Sequence, residues 1–227
     1  MSTTVNKIAV VIPTYERPDG KTIHYLTRAL DSVQKQTFKN FRVYLIADRW
    51  EDIETLSKLV KKYDFEIQTI DIPFAKERDK YQQGDYRLFC AGGVNATNTG
   101  IDVALKDGFK YICHLDHDDH WRDDHLEWIN EGAKLGYFFI CTKSTHITGE
   151  LPTLSETQEF TPQPCGLIHS STCIDFSKTD LRFRDCWEET REAYPADADM
   201  WRRIQDKNCL FIDQLTCFHD EEGYSRG

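Results

Sequence analysis

The chain has 227 residues, 40% of them hydrophobic and 12% aromatic, and a net charge of −10. That length supports one well-buried core and is marginal for two, so a single domain with two lobes is expected. An acidic chain without a local basic patch repels polyanions, which excludes nucleic acid as a partner, and a phosphate-bearing ligand would need a divalent cation to neutralise it.

IAVVIP (8–13) is a short apolar run closed by Pro13, the pattern of a buried parallel strand. Ile23, Leu26, Leu30 and Val33 recur at helical spacing, FRVYLIAD (41–48) reads as a second strand and DIETLSKLVKKY (52–63) as a second helix. FEIQTID (65–71) is a third strand, and a polar stretch from Pro73 to Gly93 leads to a helix through Ile101, Ala104 and Leu105. KYICHLD (110–116) is the fourth strand, followed by helix 123–136 and strand YFFIC (137–141). Strand and helix alternate to this point, which predicts an α/β fold with a mostly parallel central sheet and helices on both faces. After residue 142 the pattern loosens into a polar loop (149–166), LIHSSTCIDF, a helix ADMWRRIQ and a last strand CLFID. Residues 1–125 thus form a nucleotide-type lobe, and 126–227 a smaller mixed lobe completing the same domain.

The eight cysteines are never closer than eight residues and several sit in apolar runs, the usage of buried, reduced thiols. No run approaches the ~18 apolar residues of a membrane span, and the N-terminus lacks a signal-peptide core. A soluble, cytoplasmic protein with no intrinsic membrane segment is expected.

Polar chemistry directly follows an apolar strand at PTYERP (13–18), ADRWED (47–52) and HLDHDDHW (114–121). Ligands of open α/β sheets bind beyond the carboxyl ends of the strands, so all three would meet along one edge. In an extended backbone Asp116 and Asp118 point to one side and His117 to the other. Two such carboxylates are hard oxygen ligands for Mn²⁺ or Mg²⁺, with open positions for a substrate's phosphates. Asp123 and Asp124 instead suit the positive end of the following helix. A zinc or di-metal phosphoester hydrolase using His114, His117, His120 and His125 is a second reading, but the spacing H-x-x-H-D-D-H misses the usual metal-hydrolase pattern by one residue.

NATNTGIDVALKDGFKYICHLDHDDHWRDDHLEW closely resembles the central block of family-2 glycosyltransferases with the GT-A fold, A-R-N-x-G-I followed by F-L-D-x-D-D-x-W-x-x-D-x-L. VVIPTYERP and RALDSVQKQTFKNFRVYLIAD are similar to that family's first strand and its L-x-S-x-x-x-Q-T segment, so the resemblance covers most of residues 8–130. It implies a metal-dependent, inverting transferase that moves a sugar from a nucleoside-diphosphate donor, UDP-linked by preference, to a hydroxyl of a saccharide or glycoconjugate. By resemblance, Pro13, Thr14 and Tyr15 line the base and ribose, Asp48 accepts a hydrogen bond from the base, and Asn98 stands in the donor-side helix motif. Asp116 meets ribose or phosphates with His117 beside it, and Asp118 holds the metal. PADADMWRRI is similar to the family's E-D-x-D-L-W-L-R-L, which aligns Asp197 with the general base. TCFHDEEGYS resembles Y-R-x-H-x-x-S-x-S, which makes His219 a further metal ligand. Trp121 and Trp187 fall on the acceptor side, where either a sugar-stacking or a packing role fits a tryptophan.

Three departures stand out. Ala47–Asp48 replaces an acidic pair, Ala96-Thr97-Asn98 lacks the motif's arginine, and Ala196–Asp197 lacks the first acid of its pair. Arg17, Lys76, Arg78 or Arg87 could make up for the missing cation. These losses also motivate a rival reading, a non-catalytic sugar-nucleotide- or carbohydrate-binding protein on a transferase scaffold. The retained Asp116, Asp118 and Asp197 speak against it, because a binding protein needs no base.

Overall fold

The computed structural model describes residues 6–153, 160–204 and 208–219. Among the described residues nine strands form one sheet: β1 (Ile8–Thr14), β2 (Phe41–Asp48), β3 (Ile67–Ile72), β4 (Tyr111–His114), β5 (His120–Trp121), β6 (Phe139–His146), β7 (Gly149–Leu151), β8 (Thr172–Asp175) and β9 (Cys209–Phe218). The helices are α1 (Thr22–Gln34), α2 (Ile53–Val60), α3 (Lys76–Lys80), α4 (Tyr86–Ala91), α5 (Val94–Lys106), α6 (His125–Lys134), α7 (Cys186–Thr190) and α8 (Ala196–Arg203). The 73–93 stretch therefore contains two short helices, and CLFID extends into a ten-residue strand.

The order is β3-β2-β1-β4-β8-β6-β9-β5, with β7 paired to β6. Neighbours from β3 to β4 are parallel, as expected of strands joined by helices. β8 then inserts antiparallel between β4 and β6, and β9 is again parallel to β6. Six strands (β1, β2, β3, β4, β6 and β9) thus share one direction, and the mixed character of the sheet comes from β8, β5 and β7.

β1 shows why the sheet is covered twice. Ile8, Val10 and Ile12 join a core with α1, α2 and α6, whereas Ala9 and Val11 join a second core with α5 and α8. That is the two-residue alternation of a strand buried on both faces. All eight cysteines are unpaired thiols. No described helix is long and apolar enough to cross a membrane.

One connection shapes the sheet. Only residues 115–119 separate β4 from β5, yet β8, β6 and β9 lie between them. Four strand spacings across a flat sheet amount to roughly 19 Å, close to the reach of that segment fully extended. The segment is instead a tight turn, with the Asp119 amide donating to the Asp116 carbonyl at 3.0 Å. The sheet must curl to bring its far edge back, and β5 closes it against β9 through His120↔Phe218 and Trp121↔Cys217.

Two features of this frame can be tested. A Cβ on Gly100 of α5 would lie 2.5 Å from Val11 Cγ1 and 3.2 Å from Ile46 Cγ1. Gly100→Ala should therefore destabilise despite alanine's helix propensity, by about 1–3 kcal/mol of overpacking. A melting temperature equal to or above the native one would contradict that close approach. The second is His125, which is fully buried, stacked on Trp121 at 4.2 Å and bonded through Nδ1 to Thr216 Oγ1 at 2.7 Å. Burial pushes its ring down to about 3. The unfolded value is about 6.5, so this contribution is whole above that pH and is lost as pH falls toward 3. His125→Asn, which cannot titrate, should lose less stability than the native protein between pH 7 and pH 4, measured by urea midpoints.

Candidate active site

β4 delivers the acidic run to the carboxyl edge of the sheet, where the Leu115 amide makes a last bond to the Val11 carbonyl at 3.0 Å. The backbone then turns, so the strand's alternation of side chains stops there and each aspartate finds its own environment. Asp119 points inward and is fully buried. It accepts hydrogen bonds from Ser170 Oγ at 2.5 Å and lies 2.9 Å from His219 Nδ1. Asp116 faces His169, with Oδ1 3.2 Å from Nδ1, and its own amide donates to Ser170 Oγ at 2.9 Å. Asp118 turns toward Arg17, whose Nη1 is 3.4 Å from Oδ2, while Arg28 Nη2 donates to the Asp118 carbonyl at 2.5 Å.

Charge is unevenly shared across the cluster. Burial pushes the Asp119 carboxyl up, and His219 offsets part of that. Burial would push His219 down, but the hydrogen bond and charge of Asp119, with Asp116 and Asp118 behind, raise it to about 9. Asp116 also meets a burial penalty, which the adjacent His169 outweighs, holding it at about 2. His169 is raised in turn, against burial, by Asp116 and then Asp197. Below the pair, His169 stacks on the buried His114 at 4.4 Å.

α8 supplies the opposite wall. Its two aspartates have opposite fates although they are two residues apart. Asp199 is fully buried among Arg184, Arg202 and Arg203, at 2.7–2.9 Å, and these cations hold its carboxyl below the usual range against the burial penalty. Asp197 accepts from the Ala198 amide at 2.7 Å, and burial raises its carboxyl while His169 partly opposes. Neither is a helix cap, since the residue before α8 is Pro195.

A cavity of about 220 Å³ joins these elements, and Pro13, Asp116, His169, Asp197 and His219 are among its lining. Four of the residues singled out by sequence therefore meet in one place. A second group lies beside it: Arg78 donates to Asp48 Oδ2 at 2.7 Å and to the Asp48 carbonyl at 2.5 Å, and its guanidinium covers the Tyr15 ring at 4.7 Å. The Tyr15 ring meets His117 edge-on at 5.3 Å. Asp48 is 3% exposed, its Oδ1 and the Thr14 hydroxyl are buried without a hydrogen-bond partner among the described residues, and burial raises its carboxyl against Arg78. Of the four possible replacement cations, Arg78 thus joins Asp48, Arg17 joins Asp19 and Asp118, Arg87 joins Asp85, and Lys76 is exposed.

Other sequence candidates stand apart from the cavity. Asn98 spends both ends of its amide on the Phe183 backbone, at 2.7 and 3.0 Å. Trp121 is 2% exposed and donates Nε1 to the Ser170 carbonyl at 2.7 Å. Trp187, on α7, packs against the Arg87 guanidinium at 5.2 Å. The four histidines of the hydrolase reading diverge: His114 to His169, His117 to Tyr15, His120 to Phe218 and His125 to Thr216. Residues 220–225 of the last motif lie outside the described residues. Sequence reasoning missed Asp119, Ser170 and His169. The doubled aspartate at 118–119 was a visible sign of the first, whereas HSS in a loosely patterned segment gave no sign of the others.

Among the described residues, no three His, Cys, Asp or Glu side chains are arranged to hold a metal by themselves. The donors left at the turn are nevertheless hard and anionic: the carboxylates of Asp116 and Asp118, since both oxygens of Asp119 are taken by Ser170 and His219. That fits Mn²⁺ or Mg²⁺, ions held by one or two carboxylates and completed by a substrate's phosphates. It does not fit zinc, which takes three or four protein ligands.

No protein-family model matches the chain. It is 35% identical over 236 residues to an uncharacterized glycosyltransferase of Acanthamoeba polyphaga mimivirus, covering 96% of this chain and 95% of that one. It is 29% identical over 119 residues to the amylovoran biosynthesis glycosyltransferase AmsB of Erwinia amylovora, which is 52% of this chain and 33% of that protein. S. aureus TarS 1-349 in complex with UDP-GlcNAc has a TM-score of 0.64 at 17% identity, over 97% of this chain and 60% of that chain. Mannosyltransferase PcManGT from Pyrobaculum calidifontis, in complex with GDP-Man and Mn²⁺, gives 0.62 at 12% identity, over 98% and 60%. At such identities the solved structures speak to the fold, and this chain spans about 60% of their length. The relation to the viral protein runs end to end, and by it this enzyme belongs to the glycosyltransferases.

Proposed function

We propose that the protein is a metal-dependent, inverting glycosyltransferase of the GT-A type that transfers a sugar from a nucleoside-diphosphate donor, UDP-linked by preference, to a hydroxyl of a saccharide or glycoconjugate. The observation that carries this reading is the shared cavity, in which Asp197 of α8 and Asp116 of the acidic turn line one space at the carboxyl edge of the parallel strands. A solved relative in fold holding UDP-GlcNAc, and another holding GDP-Man and Mn²⁺, support the donor class and the ion.

The residues divide the work. The orphaned Asp48 Oδ1, held in place by Arg78, suits a base that presents an N–H, as uracil does, and Tyr15 with Arg78 offers a flat face beside it. Pro13 and Thr14 flank that face, and Asp116 with His117 reaches the ribose or phosphates. Asp118 would hold the cation, and the carboxylates of Asp119, Asp116 and Asp118, which together raise His219, make a negative potential that attracts the ion. When bound, Mn²⁺ or Mg²⁺ supplies a Lewis acid for the charge that develops on the leaving diphosphate.

Asp197 takes the proton of the acceptor hydroxyl while that oxygen forms its bond to the anomeric carbon from the face opposite the diphosphate. The bond from that carbon to the diphosphate oxygen breaks, and its electron pair leaves with the diphosphate. The raised carboxyl of Asp197 makes it a better proton acceptor near neutral pH than an ordinary aspartate. Attack from the face opposite the leaving diphosphate, with Asp197 as the base, inverts the anomeric carbon, as the family resemblance implies.

Asp197→Asn should lower turnover of a UDP-sugar by roughly 10²–10⁴-fold, the usual worth of a positioned base, while donor binding persists. Full turnover in that variant would remove Asp197 as the base. For the cation, UDP at ~100 times its dissociation constant should add about 2.7 kcal/mol to the native protein. That raises the melting temperature by roughly 2–4 °C per kcal/mol, and only with Mn²⁺ present. Asp118→Ala should lose the Mn²⁺-dependent part of the shift, and an undiminished shift would exclude Asp118 as the ligand.

A further inference from the structure

The short helix α3 turns a carboxylate inward. Lys76 and Asp79 are exposed, whereas Glu77 is 3% exposed. Its Oε1 accepts from the Asn95 amide in the first turn of α5 at 3.0 Å, but Oε2 is buried without a hydrogen-bond partner among the described residues. The next residue, Arg78, bonds to the side chain and carbonyl of Asp48, whose Oδ1 is orphaned in the same way. Burial raises the Glu77 carboxyl, backbone amides partly oppose, and Asp48 adds to the rise, so the two carboxylates stand in each other's field. With the Thr14 hydroxyl, three buried polar atoms without partners among the described residues gather at the carboxyl ends of β1 and β2. A buried oxygen without a donor costs stability, and an apolar side chain would pack there without that cost.

We propose that Glu77 is a donor-reading residue, whose Oε2 accepts a hydrogen bond from a ribose hydroxyl of the donor while Asp48 takes the N–H of the base. Ionised carboxylates are acceptors only. Uridine offers them its base N–H and its ribose hydroxyls, and with the first on Asp48 the hydroxyls are the donors that remain for Glu77. α3 supplies by this route the second carboxylate that Ala47–Asp48 lacks in sequence. Arg78 follows Glu77 in the chain and covers the Tyr15 ring at 4.7 Å, so the aromatic face and both acids share one end of the sheet. A site with buried acceptors discriminates strongly against analogues that lack the matching donor, because the acceptor is then left unpaired. This assignment rests on the donor reading above for the place of the nucleotide.

The test is calorimetric titration of the native protein, in the presence of Mn²⁺, with UDP, 2′-deoxy-UDP and 3′-deoxy-UDP. One deoxy nucleotide should bind roughly 10–100-fold more weakly than UDP, the worth of a hydrogen bond to a charged group. Glu77→Gln keeps the length of the side chain and an oxygen for the Asn95 amide. It should weaken UDP by a similar factor and bind UDP and that deoxy nucleotide within about twofold of each other, the signature of a lost pairwise contact. A side chain that only braces α5 would lower the melting temperature of the free Glu77→Gln protein and leave the preference for the hydroxyl in place, which overturns the proposal. Equal binding of all three nucleotides by the native protein also overturns it, and removes Glu77 alone. Binding of GDP in preference to UDP, weakened in IDP, would put Glu77 on a base amino group and overturn the ribose assignment as well. Absence of binding by every one of these nucleotides would remove the donor reading, and Glu77 with it.

Discussion

The site depends on a carboxylate that water cannot reach. Asp119 is fully buried, and an ionised group there is stable only when its oxygens are claimed by donors. Ser170 claims one and His219 the other. Neither comes from the lobe that makes the acidic turn: Ser170 precedes β8 and His219 follows β9. The charge thus ties the parallel half of the sheet to the mixed half. Ser170 extends the tie, because its hydroxyl also receives the Asp116 amide and its carbonyl receives the Trp121 indole. Trp121 is therefore a brace for the turn.

The two aspartates of α8 show how environment assigns roles to identical side chains. Asp199 is surrounded by three guanidinium groups and anchors the helix. Asp197, one turn-face away, meets no cation directly and keeps a raised affinity for a proton. A helix fixed by the first can aim the second, and preorganised groups of this kind act in chemistry without rearranging at the moment of reaction.

Much of this was legible where the signal is local. β1, β2 and β4 end within a residue or two of the apolar runs that announce them, because strands buried on both faces must be uninterruptedly apolar. The acidic turn was legible for the same reason, since so much charge directly after such a run marks the carboxyl edge of the sheet. What escaped was non-local. Nothing in LIHSSTCIDF says that it will insert between β4 and β6, so Ser170 and His169 could not be placed beside the aspartates. The helices of the 73–93 stretch are too short for periodicity to declare them. Trp121 and Asn98 carried the right motif positions, but their polar atoms are spent on backbone carbonyls and amides inside the protein.

The two-residue ladder of β5 with β9 has a further consequence for how the enzyme comes into being. Asp119 and His219 are 100 residues apart, and the ladder that brings them together is the last strand pair along the chain. Contacts of such separation form only after the loop they close has been ordered by everything between. Until β9 has been made, Asp119 lacks its His219 partner and β5 lacks the strand it pairs with. Closure of the sheet around the acidic turn is thus a late event in biosynthesis.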